Sequence, residues 1–263
     1  MGSATREALS ASRSALATLG TKGGLAVGQE LLAAGRVIGD SAPLRAALAD
    51  PSAPADAKKS IITNVFSTLS TGARDLLSTV AENRWSNDDD LLAGIEELGF
   101  RVLASSAGTA PIEAELFTFG TAVSSDPELE LAVSSKLGSN AAKVALVETL
   151  LGSKASAQTI AIVGHLVQQP RGRRIAELLS TAASIVADQS GLSIATVTTA
   201  TKLDAAQLDR LGKGLAKSYG RELRINQVVD PTLLGGVRVQ IGDDIIDGSV
   251  ASRLKELRLQ LAG

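Results

Sequence analysis

Four groups of residues in this chain could do chemistry. His165 is the single histidine, set in the apolar run Val163-Gly164-His165-Leu166. A Ser-His-Asp triad or a histidine metal site would have to use it, and no nucleophile elbow lies nearby. A histidine packed on a helix face is the expectation. Asp88, Asp89 and Asp90 follow Asn87 and invite a metal reading. At a helix N-terminus the same carboxylates answer free N–H groups and favour the helix dipole, so capping is expected instead. Arg171, Arg173 and Arg174 form the compact basic cluster. Without interleaved aromatics they read as a solvated loop rather than a nucleic-acid site, with an acidic partner surface as the alternative. Gly235-Gly236 is no phosphate loop, because G-x-x-x-x-G-K-[ST] is absent and no helix start follows. No catalytic, metal or cofactor site emerges from these groups.

Composition narrows the classes further. The chain has no cysteine, which removes disulfides and thiolate metal sites. A net charge of −2 offers no basic footprint for nucleic acid. The apolar run from Ile160 to Val163 falls far short of the ~18 residues of a membrane helix. The start shows Arg6 but no signal-peptide core, and Arg6 stands where a myristoylation motif needs Ser or Thr. Membrane association is therefore expected only through a partner.

The elements that position these residues are mostly helical, as an Ala- and Leu-rich chain poor in aromatics predicts. Helices are expected over residues 3–19 and 25–38, from Pro43, and over 55–69, 72–83 and 91–104, with Gly20, Gly23-Gly24, Gly39, Pro51 and Pro54 as breaks. Ile61, Ile62, Val65 and Phe66 are placed together on one buried face. The pattern then recurs at a shift of 85 positions. Glu30-Leu31 align with Glu115-Leu116, Gly35 with Gly120, Leu44 with Leu129 and Ala57-Lys58 with Ala142-Lys143. One extra residue is needed near Gly72. Apolar positions and breaks carry this alignment more than identities do, and predict a duplicated helical bundle, 1–107 and 108–190.

From Gly191 the period changes. "LSIATVTTATKL" is β-branched and reads as a strand. Asp204 caps a helix bearing Leu208, Leu211 and Leu215, and Leu223, Ile225, Gln227 and Val229 alternate as a second strand. Asp230 and Pro231 end it, since proline cannot donate to a central ladder. Leu234 then leads to a tight turn at Gly235 and Gly236. Val237, Val239 and Ile241 alternate with Arg238 and Gln240, and Gly242-Asp243-Asp244 forms a hairpin into Ile245-Ile246. Asp247, Gly248 and Ser249 cap a last helix, with Val250, Leu254, Leu257 and Leu261 on one apolar face. Residues 191–263 are thus a small α/β domain. The fold class is mainly α with a small α/β module: two helical bundles followed by a C-terminal α/β domain.

The stretch "DPTLLGGVRVQIGDDIIDGSVASRLKELRLQL" resembles the C-terminal signature of the F-type ATP synthase delta subunit, counterpart of the mitochondrial oligomycin sensitivity-conferring protein. The Asp-Pro opening, Leu-Gly-Gly turn, glycine hairpin, Asp-Gly-Ser cap and final leucine-arginine helix agree in order. "LLSTVAENRW" is similar to a segment of the family's helical domain, although Trp85 replaces a leucine and a glycine is missing, which implies a different turn. The family usually has one helical domain, so this chain resembles a lengthened form. The resemblance implies a non-catalytic stator subunit without cofactors. It would link the alpha/beta head to the b-subunit stalk and resist rotor torque while proton transport drives ATP synthesis. It further implies alpha N-terminal segments on the helical part and b at the C-terminal module, with beta subunits near. It places the protein at the bacterial cell membrane, peripheral on the cytoplasmic side. The stalk contact would fall on Asp230, Pro231, Leu234, Gly235, Gly236, Gly242, Asp247, Gly248, Ser249, Leu254 and Leu257. The alternative is a general helical scaffold or adaptor with a regulatory C-terminal module.

Overall fold

Among the described residues eleven helices follow one another before any strand: α1 (Ser3–Leu19), α2 (Gly24–Asp40), α3 (Ala42–Ala49), α4 (Ala55–Val65), α5 (Thr71–Glu82), α6 (Asp88–Ser105), α7 (Ile112–Ser125), α8 (Pro127–Ser134), α9 (Asn140–Leu151), α10 (Ala157–Gln168) and α11 (Ile175–Gln189). The computed structural model describes residues 2–19, 24–135, 138–242, 244–252 and 254. The chain divides into two compact units, Met1–Val186 and Ala187–Gly263. The expected breaks at Gly20 and Gly23 lie outside the described residues.

Short polar side chains start these helices by accepting the first free N–H groups. Ser41 accepts from the Leu44 amide, Asn87 from Asp90 and Asp126 from Glu128 and Leu129. The aspartate run therefore opens α6, with Asn87 as the cap and Asp88, Asp89 and Asp90 in the first turn. Two caps are themselves held from another helix. Glu30 of α2 accepts from the backbone N–H and hydroxyl of Ser70, at 3.2 and 2.5 Å. Glu115 of α7 accepts from the same two groups of Ser156, at 3.0 and 2.7 Å.

α6 lies along α2 and α1, and the buried Leu31, Ile38, Leu77, Val80, Leu91, Ile95 and Leu98 form the centre of this core. Trp85 closes the turn between α5 and α6. Its indole N–H donates to the Val80 carbonyl at 2.8 Å, and its ring covers Gly94, where an added Cβ would stand 2.1 Å from the ring. One expected face changes. Ile62 and Phe66 point inward, but Val65 is half-exposed. α4 ends at Val65 rather than running to Leu69, because Phe66 leaves helical geometry and turns the chain (φ −110°, ψ 35°).

The second unit holds β1 (Leu192–Thr199), α12 (Ala205–Tyr219), β2 (Glu222–Val229), β3 (Val237–Ile241) and β4 (Asp244–Asp247). The sheet order is β2-β1-β3-β4. β1 and β2 are parallel, as their connection through α12 requires, with Ala195 beside Ile225. β3 returns antiparallel, with Val197 opposite Val239, and β4 completes a hairpin. Asp204 and Gln207 form a reciprocal capping box at the start of α12, and Gly220 ends it at φ 64°. α12 packs on β2, and Ala195, Val197, Val239 and Leu215 are the buried centre.

Filling the space at Gly94 tests the Trp85 plug. Gly94→Ala overpacks it and is expected to cost about 1–3 kcal/mol in urea denaturation. Because Trp85 is the only tryptophan, its folded-state emission should also shift to the red. Unchanged emission and stability would remove the plug.

Candidate functional site

Two sites stand out, and each begins from how its backbone is held. The first is the signature turn in the α/β unit. The Asp230 N–H continues the β1–β2 ladder by donating to the Thr199 carbonyl at 2.8 Å. The Asp230 carboxylate then accepts from the Thr232 amide and hydroxyl, at 2.9 and 2.7 Å, bending the chain at Pro231. Those bonds hold the exposed Asp230 carboxyl below the usual carboxylate range. Leu234 projects into solvent, 77% exposed.

Gly235 and Gly236 follow at φ 116° and 86°, backbone that side chains with a Cβ rarely adopt. Gly236 also has no room, since a Cβ there would lie 2.5 Å from the Gly248 carbonyl oxygen. The approach is two-sided. The Gly248 N–H donates to the Val237 carbonyl at 2.9 Å, and the Val250 N–H to the Gly235 carbonyl at 3.1 Å. Asp247 accepts from the Ser249 amide, and the buried Ser249 hydroxyl from the Ser252 amide. The two ends of the signature therefore meet, as a clasp from which the last helix departs. Gly242 stands apart at the hairpin with φ 58° and open space around it.

Two residues of the apolar face expected on the last helix are described. Val250 is 42% and Leu254 53% exposed, so this end of the stripe faces solvent instead of packing on the module. Leu257, Leu261 and Asp243 lie outside the described residues. Ile245 and Ile246 of the edge strand β4 are half-exposed as well. Leu234, Ile245, Ile246, Val250 and Leu254 are thus apolar side chains that this unit leaves in contact with water, with Leu234 and Val250 brought close by the Val250 N–H to Gly235 carbonyl bond.

The second site surrounds His165. It is 3% exposed on α10, and its Nε2 lies 3.0 Å from Oε1 of the buried Glu96 on α6. Its Nδ1 lies 3.1 Å from the Arg36 guanidinium of α2. Arg171 and Arg173, from the loop after α10, both donate to Oε2 of Glu96, Arg173 at 3.1 Å. Gln169 in the same loop donates to the Arg36 carbonyl and the Asp40 carboxylate, both at 3.1 Å. The Phe100 ring meets the imidazole edge-on. This corrects the reading of the basic loop as wholly solvated: two of its three arginines pair with one internal carboxylate, although Arg173, like Arg174, stays exposed.

The charges follow from this geometry. Burial pushes the His165 pKa down, against the pull of Glu96. Burial alone would raise the Glu96 carboxyl, but the His165 bond and the Arg171 and Arg173 charges hold it below the usual range. The pair is thus a neutral imidazole and a carboxylate. Neither a nucleophile nor a group of acidic or histidine side chains able to hold a metal ion accompanies it among the described residues. Glu96 and Arg36 were missed from the sequence because each reads as an ordinary polar position on a helix, and their partner follows far along the chain.

The comparisons agree with the signature. The model of the ATP synthase delta (OSCP) subunit family matches residues 100–261. An ATP synthase subunit delta of Leifsonia xyli subsp. xyli is 58% identical over the full length of both chains. The chain belongs to the ATP synthase delta (OSCP) subunit family. The subunit delta of Streptomyces avermitilis is 38% identical over 98% of each chain, and that of an Arthrobacter species 36% identical over the full length of both. Relatives of this family thus share the whole length, including the additional helical segment. The chain is accordingly a structural, stator-type subunit of the enzyme complex and not itself catalytic.

The two kinds of glycine in the signature separate strain from sterics. Gly242→Ala should cost about 1 kcal/mol, the strain of positive φ. Gly236→Ala adds a clash with the Gly248 backbone and should cost clearly more, read as the difference in thermal midpoint of the α/β unit. Equal losses would mean that the clasp gives way freely.

Proposed function

We propose that this chain ties the catalytic head of a bacterial F-type ATP synthase to its peripheral stalk, the helical unit binding N-terminal segments of alpha subunits and the α/β unit binding the C-terminal end of the b subunit. Beta subunits lie close enough to be co-purified. The observation that carries this reading is the 58% identity to a subunit delta over the whole of both chains. The exposed apolar side chains beside the clasp support the stalk contact, because apolar groups left in water next to polar residues mark an interaction surface. Leu234, Val250 and Leu254 belong to it. Asp230, Pro231, Gly235, Gly236, Gly242, Asp247, Gly248 and Ser249 shape it, and Leu257 is proposed to continue it. Association with the cytoplasmic face of the cell membrane is through the complex. No helix among the described residues is long and apolar enough to cross a membrane.

The helical unit is proposed to be a duplication, 1–107 and 108–190, followed by the α/β domain 191–263. The paired bonds support it: Glu30 holds the α5 cap at Ser70 as Glu115 holds the α10 cap at Ser156. Matching Glu30 to Glu115 and Ser70 to Ser156 takes the shift from 85 to 86, in keeping with one extra residue near Gly72. The shift that carries α2 onto α7 also carries α1 onto α6. On this reading α6 closes the first repeat and opens the second, and it touches α2 on one side and α10 on another.

Several contacts in series resist detachment better than one, because each holds the others at high effective concentration. The test is capture of the tagged chain from detergent-solubilised native membranes. Alpha, beta and b subunits should appear in complex proportions, whereas a folded chain that recovers none would favour the general scaffold. Leu234→Asp with Leu254→Asp should leave the thermal midpoint unchanged, since both side chains are exposed. Binding of b should weaken about tenfold, or 1.4 kcal/mol. Full retention of b would move the stalk contact elsewhere.

A further inference from the structure

The His165 site is not used by the stator reading, and its geometry asks for a role of its own. An arginine N–H can only donate, so its approach to Nδ1 requires that nitrogen to be unprotonated. The ring proton then sits on Nε2 and donates to Glu96. His165 is therefore read by two helices at once, as acceptor from α2 and donor to α6. A second proton has one place to go, Nδ1, where it would meet the Arg36 guanidinium head-on.

The surrounding charges do not relieve that conflict. On α6, Glu96 is the carboxylate bonded to the ring, and Arg171 and Arg173 already share its other oxygen. On α2, Asp40 lies behind Arg36 and accepts from Gln169. Asp89 acts on Arg171 from the start of α6. On α9, Lys143 donates to the Val167 carbonyl at 3.4 Å, and Glu148 borders a cleft of about 320 Å³ between α2, α9 and α10. Arg36 and His165 both line that cleft. One carboxylate thus already balances two arginines before the imidazole gains any charge.

The backbone is arranged to hold this contact. Arg171 is the one non-glycine residue among those described with positive φ, at 47°, a conformation tolerated only when its surroundings enforce it. Its counterpart in the first half, Trp85, closes the same turn by packing inward on Gly94. The second half instead sends its turn residue across to α6.

We propose that His165 is a proton-operated latch: protonation at Nδ1 expels Arg36 and frees α10 and the loop 169–174 from α2 and α6. The closed form binds one proton fewer than the open form, whose exposed histidine titrates near its ordinary ~6.5. The latch is fully closed above that pH. Its closing equilibrium falls as pH drops below ~6.5, by up to about tenfold per unit.

The test uses the full chain carrying a histidine-free tag, in which His165 gives the only imidazole signal. At pH 7.5, nitrogen NMR should show a neutral ring with the proton on Nε2. Between pH 6.5 and 5, amide exchange in α10 and residues 169–174, corrected for intrinsic rate, should rise by up to about tenfold per unit, while α5 stays protected. His165→Gln, which keeps a donor for Glu96 but cannot titrate, should show no such rise. An equal rise in the variant would overturn the latch, as would an imidazolium at pH 7.5 or free titration without opening. If the variant does not fold, the wild type still decides: coincident midpoints of ring protonation and exchange support the latch, and separated midpoints refute it.

Discussion

One carboxylate, that of Glu96, gathers three elements of the helical unit. It sits on α6 with its side chain 9% exposed and receives donors from His165, Arg171 and Arg173, all from the end of α10 and the loop beyond. A buried ion pair adds little net stability over an apolar equivalent, because desolvation offsets most of the Coulomb energy. Removing one partner is another matter, since the charges left behind have no water to turn to. Such a cluster tolerates one arrangement of its helices and penalises the rest. That is a constraint on geometry more than a source of stability.

A stator subunit has to carry load without changing shape, and the rest of the helical unit suits that demand. The Glu30–Ser70 and Glu115–Ser156 bonds tie helix starts to neighbouring helices, so each cap is also a tertiary contact. Burial would raise the Glu115 carboxyl, but donation from Thr159 and Ser156 holds it below the usual range, keeping it ionised. Apolar packing fills the volume between these fixed points, driven by a hydrophobic effect that is itself non-directional.

The α/β unit answers a different demand. Its sheet exposes an apolar edge and a helix start while spending its glycines on the clasp between Gly236 and Gly248. A tight backbone approach makes the departure point of the last helix rigid, even though that helix presents Val250 and Leu254 to solvent. Rigid anchorage with an apolar surface left open is what a docking element needs.

Most elements were legible in the chain itself. Caps, glycine and proline breaks and the change from helical to alternating period depend on neighbours a few residues apart. That is why α1, α5, α12 and the β3–β4 hairpin could be placed from sequence. The signature made the family legible for the same reason: its turn, hairpin and cap are local events in fixed order. Which side chains face water was decided only by tertiary packing, as Val65 and Leu254 illustrate, since a stripe at helical spacing does not say whether a neighbour will cover it. Nor could sequence pair Glu96 with His165 and Arg171. One of two adjacent glutamates on a helix and a basic loop some seventy positions later look like two solvated features until α6 and α10 are brought together, and only desolvation turns them into one site.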